Sequence, residues 1–429
     1  MDTPSLWQEQ HPGRRFPSVD GAITADVCVV GAGVTGCACA WRLLEHGIRP
    51  VIVDARRTAA GASGRNGGFA VSDSSLDPVE LTARLGAARA AELLGAVRLE
   101  LEAMIALAGE LGVADAVQRT GSLWVTTAQE AREMAAAADM LRLAGVQCAA
   151  APELIPEPMR ASHPAALHVP GDASLLPARW VRTLAEAVAA RGGQLYERSA
   201  AVSVRRSTAG WTVTAGTGTV TADAVVVACD GLIPRLLPEL EGIVYPVRGQ
   251  VAATAPLAHQ PLSMPTHSQY GFMYYRPTPD GRVVIGGGRL EHLEEEYTDE
   301  ERVTPGVQAE IDRFMAGPLG LAGVEVTHRW AGIMGFSADL LPLAGELPGR
   351  PGVHVAGGYS GVGNVLGHLC GRLVAELIAT GGHPLAGIHH PDRFDPSRPP
   401  EQLEKQRSRE LARTLGAEGG KTAGGSAVM

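Results

Sequence analysis

The chain has 429 residues, room for two domains or one large composite fold, and its 37 Lys and Arg against 46 Asp and Glu leave a net charge of −9. That balance argues against nucleic acid and against an anionic membrane surface as partners. Glycine is in excess, at 53 residues, without the strict repeat of collagen, so it serves tight turns and close backbone approaches.

Residues 1–19 read as an irregular leader, and Asp2, Glu9, Arg14 and Arg15 without an apolar run exclude a signal peptide. Asp26-Val27-Cys28-Val29-Val30 has the pattern of a buried strand. Gly31-Ala32-Gly33-Val34-Thr35-Gly36 follows, then a helix to about His46 with Gly47 as its C-cap, and a second strand, Val51-Ile52-Val53, closed by Asp54. Residues 78–150 read as mostly helical, with a strand near Leu123, and Trp124 reads as core. A helix starts near Pro177 and stops at Gly192-Gly193. Strands alternate over 194–229. Met273-Tyr274-Tyr275-Arg276 and Arg282-Val283-Val284-Ile285-Gly286 pair as a hairpin around Asp280-Gly281. Residues 299–317 read as helix. Val353-His354-Val355-Ala356 is a short strand running into a glycine-rich turn and a helix to about Ala379, and the tail, 395–429, reads as loose. No apolar stretch is long enough to span a membrane, and a cytoplasmic location is expected.

Absences narrow the chemistry. The only lysines are Lys405 and Lys421, so there is no P-loop and no Schiff-base lysine in the body of the chain. Cys28, Cys37, Cys39, Cys148, Cys229 and Cys370 form no C-x-x-C pair and read as small buried hydrophobes. The histidines, His267 among them, lack metal spacing and read as surface or satisfied core; no metal is expected.

The G-x-G-x-x-G between strand and helix, with Asp54 closing the next strand, is a dinucleotide fingerprint. Gly31 permits the turn, Gly33 the close approach of a pyrophosphate, Gly36 the packing of helix on strand, and Asp54 is expected on the adenosine ribose. Arg56-Arg57 after the acid leaves a nicotinamide reading (an NADP-dependent dehydrogenase) open at this point. A second glycine-rich loop, Gly61-Ala62-Ser63-Gly64-Arg65-Asn66-Gly67-Gly68, favours FAD, whose ribityl chain and ring need N–H donors beyond the pyrophosphate.

This pairing resembles the D-amino-acid-oxidase-like (DAO) family of FAD-dependent oxidoreductases, and GASGRNGG is most similar to its gamma-glutamylputrescine oxidoreductase branch. Further similar segments are Thr120-Gly121-Ser122-Leu123, Pro246-Val247-Arg248-Gly249-Gln250, Ile285-Gly286-Gly287-Gly288, Trp330-Ala331-Gly332 and Gly357-Gly358-Tyr359-Ser360-Gly361. The resemblance implies an α/β protein with a discontinuous Rossmann-like FAD-binding domain (20–75, 165–240 and 325–385) and an α+β substrate domain on a mixed sheet (76–164 and 241–324). It implies FAD contacts from Gly31, Gly33, Val34, Thr35, Gly36, Asp54, Ala55 and Arg56; from Ala62 through Gly68; from Ala201, Cys229 and Gly332; and from Gly358, Tyr359, Ser360, Gly361, Val362, Gly363 and Asn364. The N-terminus of the last helix is expected at the pyrimidine edge of the flavin, where negative charge collects on reduction.

Relatives often carry His where this chain has Val362, which keeps a non-catalytic binding subunit in view. Neither a cysteine in 332–336 nor a histidine in 61–68 is present, so the FAD is expected to be non-covalent. The activity implied is oxidation of the C–N bond of an amine or amino acid, with O2 or another electron acceptor. Tyr275, Arg276, Trp330 and Tyr359 are the expected substrate-contacting residues. Strand alternation puts Tyr274 and Arg276 on one face and Tyr275 on the other, and only one set can meet the flavin.

Overall fold

The computed structural model describes residues 2–127, 130–395, 402–409 and 411–412. Strand Ala22–Val30 runs parallel to Pro50–Val53 on one side and to Gly218–Val227 on the other, and Val353–Gly357 lies parallel beside Gly218–Val227. These strands are near-continuous valine runs because both faces of a parallel sheet are covered. With four neighbouring strands they complete an eight-stranded sheet.

The main helices are α1 (Leu6–Gln10), α2 (Val34–Glu45), α3 (Pro78–Leu85), α4 (Ala87–Glu110), α5 (Glu130–Leu143), α6 (Pro177–Ala190), α7 (Leu293–Glu296), α8 (Pro305–Ala316) and α9 (Val365–Thr380). Helices α2 and α9 pack through glycine. A Cβ on Gly367 would come within 2.9 Å of Thr35 Oγ1, and one on Gly371 would strike the Thr35 carbonyl. Each helix follows a parallel strand, so their N-termini lie side by side beyond the carboxyl edge of the sheet, where α/β folds place their ligands.

A second, mixed sheet runs in the order Val326–Ser337, Val244–Thr254, Val283–Gly287, Met273–Pro277, Thr266–Ser268, Ser122–Thr126, Ala165–Val169 and Ala149–Ala150. Only Thr266–Ser268 against Ser122–Thr126 is a parallel pair. Strands 165–169 and 326–337, expected in the FAD-binding domain, pair in this second sheet.

Three other expectations change. The leader is not irregular: Ser5 Oγ caps α1 by accepting from Gln8 N–H, and Leu6 and Trp7 are buried. The tail is not wholly loose: residues 403–409 are helical, and Leu403 N–H donates to the Ala338 carbonyl at 3.0 Å. The helix expected over 299–317 begins only at Pro305, whose ring is tolerated in the first turn and not deeper.

Candidate active site

The half of the site at the start of α2 is built from backbone. Gly31 has φ +114°, in the region that favours glycine. Helix α2 has no side-chain cap, and the N–H groups of Gly33, Thr35 and Gly36 find no acceptor among the described residues. Val34 N–H donates to Ser63 Oγ at 3.0 Å, which joins the first glycine loop to the second. A Cβ on Gly33 would come within 2.9 Å of that oxygen. Unmatched N–H groups at a helix N-terminus are a ready anion site.

Asp54 accepts from Ala32 N–H and Arg56 N–H, each at 2.7 Å, and burial pushes its carboxyl up from the ordinary range. Each oxygen keeps a lone pair for a further donor. Ser199 N–H donates to the Asp54 carbonyl and Arg198 N–H to that of Arg56, which brings 54–56 beside the strand that starts at Ala201. Ala55 and Arg56 are exposed, and the Arg56 guanidinium is paired with Glu301. Cys229 follows Ala228, whose carbonyl crowds the Gly31 turn.

The loop 61–68 is held from several sides by its own carbonyls. Ser5 Oγ donates to Gly64 O at 2.7 Å, Trp7 Nε1 to Asn66 O at 2.8 Å and Trp330 Nε1 to Arg65 O at 2.7 Å. Arg276 Nη1 donates to Gly68 O at 2.7 Å and to Leu175 O at 2.5 Å. Arg65 donates to Ala60 O and, next to Gly332, to Ala331 O. Across the site, Asn66 and Asn364 exchange amide hydrogen bonds at 3.0 and 3.1 Å, and Asn364 Nδ2 also donates to Phe69 O at 2.7 Å. The turn before α9, with Gly358 at φ +75°, Ser360 at +50° and Gly361 at +97°, leaves Gly363, Asn364 and Val365 N–H without acceptors among the described residues.

These two segments border a cavity of about 310 Å³. Ala62, Arg65, Asn66, Gly67, Gly332 and the run Ser360, Gly361, Val362 and Asn364 form one wall. Tyr274, Met334, Phe336, Trp124 and His267 form an apolar and aromatic part of the remainder. The residues present fit FAD: two uncapped helix N-termini, a loop tied down by its carbonyls, and glycines where side chains would intrude.

The residues expected at the substrate fall elsewhere. Tyr275 is fully buried on the opposite face of the second sheet, its hydroxyl 3.1 Å from Met159 Sδ and its ring against Phe314. Of the strand's two tyrosines, Tyr274 reaches the cavity. Arg276 spends its donors on carbonyls and stacks over Trp7, so it holds the loop rather than a substrate carboxylate. Trp330 is buried and does the same for Arg65. Tyr359 is buried with its hydroxyl 2.8 Å from Thr35 Oγ1, which ties the turn before α9 to α2. Trp124, half-buried and packed against the main core as expected, also lines the cavity, stacked on His267.

Several groups had no signal in the sequence. Asp230, at φ +49°, accepts from Gly335 N–H at 2.7 Å and Gly358 N–H at 2.9 Å, fastening strand Val326–Ser337 to the turn before α9. Asp73 and Asp172 line the cavity, and burial pushes their carboxyls up to about 7 and about 6. Asp172 accepts from Ser72 N–H at 2.8 Å and Ser122 Oγ at 2.6 Å. Burial pushes the His267 imidazole down to about 4, and its Nδ1 has no partner among the described residues, so it is not a satisfied core histidine. Thiols Cys28, Cys39 and Cys229 are pushed up to about 12 by burial and are inert by that measure.

Comparison with known proteins agrees with this geometry. The family model described as FAD dependent oxidoreductase (DAO) matches residues 26–377. The chain is 30% identical over 374 residues to a probable oxidoreductase OrdL of Rhizobium meliloti, covering 84% of this chain and 85% of the relative. It is 30% identical over 380 residues to gamma-glutamylputrescine oxidoreductase of Escherichia coli, covering 85% of each. Among solved structures, glycine oxidase from Geobacillus kaustophilus superposes with a TM-score of 0.73 at 25% identity, over 87% of this chain and 100% of that one. The L-proline dehydrogenase from P. horikoshii, at 20% identity and a TM-score of 0.74 over 87% and 98%, shares the fold. Among the described residues no helix is long and apolar enough to cross a membrane.

Proposed function

Because the chain belongs to the DAO family of FAD-dependent oxidoreductases, we propose that it oxidises the C–N bond of an amine or amino acid in the cavity lined by the second sheet. The observation that carries this is the convergence on one cavity wall of the tied loop 61–68 and the uncapped start of α9. FAD, when bound, supplies a two-electron acceptor that takes hydride at flavin N5.

The chain's own residues bind and orient. The N–H groups of Gly33, Thr35 and Gly36 hold the diphosphate, and the Asp54 lone pairs take ribose hydroxyls. The N–H groups of Gly363, Asn364 and Val365, free of acceptors among the described residues, would hold the anionic edge of the flavin, and backbone would do this alone because position 362 is valine. Tyr274, Met334 and Phe336 exclude water from the reacting amine. Asp73, with its carboxyl near neutrality, is the cavity-wall group suited to take the proton an ammonium must lose before its C–H bond can be attacked. The resulting imine leaves for hydrolysis in water. Position rather than a strong base does most of the work.

Fitting this reading, the close sequence relatives include a gamma-glutamylputrescine oxidoreductase, and a glycine oxidase shares sequence and fold. The experiment is anaerobic mixing of the yellow protein with polyamine derivatives, N-methyl amino acids and D-amino acids. Bleaching of flavin absorbance by at least one class is expected; no bleaching by any of the three would overturn the reading. Admitting air after photoreduction then separates O2 from another acceptor, since reoxidation slower than turnover excludes O2.

A further inference from the structure

One row of the second sheet runs along the cavity. The register sets Val251 beside Gly286, Gly286 beside Tyr274, Tyr274 beside His267 and His267 beside Trp124. A Cβ on Gly286 would strike the Tyr274 ring, and one on Gly67 would meet it at 2.8 Å, so Tyr274 leans against loop 61–68. Neighbouring strands are about 4.8 Å apart, which sets the strands of His267 and Trp124 about 5 Å and about 10 Å further along the row, away from that loop.

The His267 and Trp124 rings stack, with centres 5.8 Å apart and planes 17° from parallel, and both side chains line the cavity. Trp124 Nε1 and His267 Nδ1 are buried and have no hydrogen-bond partner among the described residues. Buried polar groups in folded chains are paired, so two orphaned nitrogens on neighbouring side chains of one cavity wall call for a partner. Burial alone, with no charged neighbour contributing, pushes the His267 imidazole down to about 4, so the ring is neutral. The cations of the lining are used by other groups: Arg289 by Glu404 of the helical segment 403–409, Arg65 by Glu301, and Arg407 by Asp77 and Glu80.

Trp124 Nε1 can only donate, and a neutral imidazole nitrogen donates or accepts according to its tautomer. An amide answers both cases. Its carbonyl oxygen has two lone pairs and takes both donors when Nδ1 carries the proton; its N–H donates to Nδ1 when Nδ1 does not. A carboxylate would bring a charge to a stretch of wall with no cation to match it, and an ammonium has no acceptor for Trp124 Nε1.

We propose that Trp124 and His267 form an uncharged hydrogen-bonding subsite of the cavity that takes an amide. That the amide belongs to the oxidised substrate rests on the proposed function; the binding itself does not. Such a substrate is an amine whose amide lies beyond Tyr274 from loop 61–68, joined to the reacting carbon by a spacer that passes the Tyr274 ring.

The test uses the FAD-loaded full chain and valeramide as a plain amide, read by calorimetry and by the change in the flavin's visible spectrum, with valerate as the charged control of equal length. Trp124→Phe removes the donor and keeps an aromatic ring; His267→Leu removes Nδ1. Each is expected to weaken valeramide binding about tenfold and to leave valerate unchanged. His267→Asn, which keeps a polar atom close to the place of Nδ1, should retain more of the binding than His267→Leu and serves in case the leucine variant does not fold. No valeramide binding by the parent, or equal valeramide affinity in the parent and in the Trp124 and His267 variants, overturns the proposal. Valerate binding lost in step with valeramide makes the subsite one for carboxylates and overturns it too. A protein that binds valeramide through Trp124 and His267 yet is bleached by no amine overturns only the proposed function; one bleached by an amine, with valeramide indifferent to both residues, overturns only this inference.

Discussion

The amide pair Asn66–Asn364 joins residues 298 apart in sequence and connects the loop 61–68 to the start of α9. Asn364→Ala removes two amide hydrogen bonds and a third to Phe69 O. Asn66 keeps its bonds to Ala62 O and Gly68 N–H, so its amide is not stranded. The Phe69 carbonyl loses the side-chain donor. At about 1 kcal/mol per bond, with some added cost for the carbonyl, the loss is roughly 3 kcal/mol. If the pair serves to hold the loop against α9 for the cofactor, much of that appears as weaker FAD binding, on the order of tens to a hundredfold. The assay is fluorescence titration of apoprotein with FAD, run beside urea unfolding of the apoprotein. The refuting result is an unchanged FAD affinity with the whole loss appearing in apoprotein stability, which would make the pair a fold contact only.

Other outcomes follow from the same geometry. Arg276→Met strands the Gly68 and Leu175 carbonyls and should cost about 3 kcal/mol of stability and speed FAD loss, whereas Tyr275→Phe should change stability by under about 1 kcal/mol and leave turnover intact; melting curves and steady-state rates separate the two. Asp172 ionises at about 6 in the folded chain against 3.8 unfolded, so the folded state binds the extra proton between those values. Stability is then fully present below 3.8 and falls as pH rises to about 6, with Asp73 extending the fall toward 7. Neutral buried His267 and His389 run the opposite way in parent and variant alike, so the reading is the difference: in urea unfolding, the stability of the parent relative to Asp172→Asn should fall as pH rises from 4 to 6, and a parent that gains on the variant over that window contradicts it. Precipitation with acid should release all yellow colour, since no cysteine lies in 332–336 and no histidine in 61–68; colour retained on the pellet would show a covalent link.

What could be read in the sequence was local. Gly31, Gly33, Gly36 and Asp54 lie within one strand–helix–strand unit, and their spacing alone fixes a turn, a helix start and an acid at the next strand end. The loop 61–68 was legible for the same reason. Alternation at 273–277 placed Tyr274 and Tyr275 on opposite faces, but which face meets the cavity depends on how the second sheet packs. Arg276 and Trp330 looked like ligand contacts because arginine and tryptophan suit ligands; their actual partners, Gly68 O and Arg65 O, lie 208 and 265 residues away. The same distance in sequence hid Trp7, Asp230, Asp172 and the return of Glu404 to the cavity, since no periodicity records a contact made by chain folding.

We propose that the starts of α2 and α9 and the loop between strand Pro50–Val53 and Phe69 form one FAD site. Titrating apoprotein with FAD tests it most directly. One tightly bound FAD per chain is predicted, with its visible absorption band resolved and shifted by the apolar cavity. Protein that is colourless when purified and takes up no FAD on titration would contradict the account.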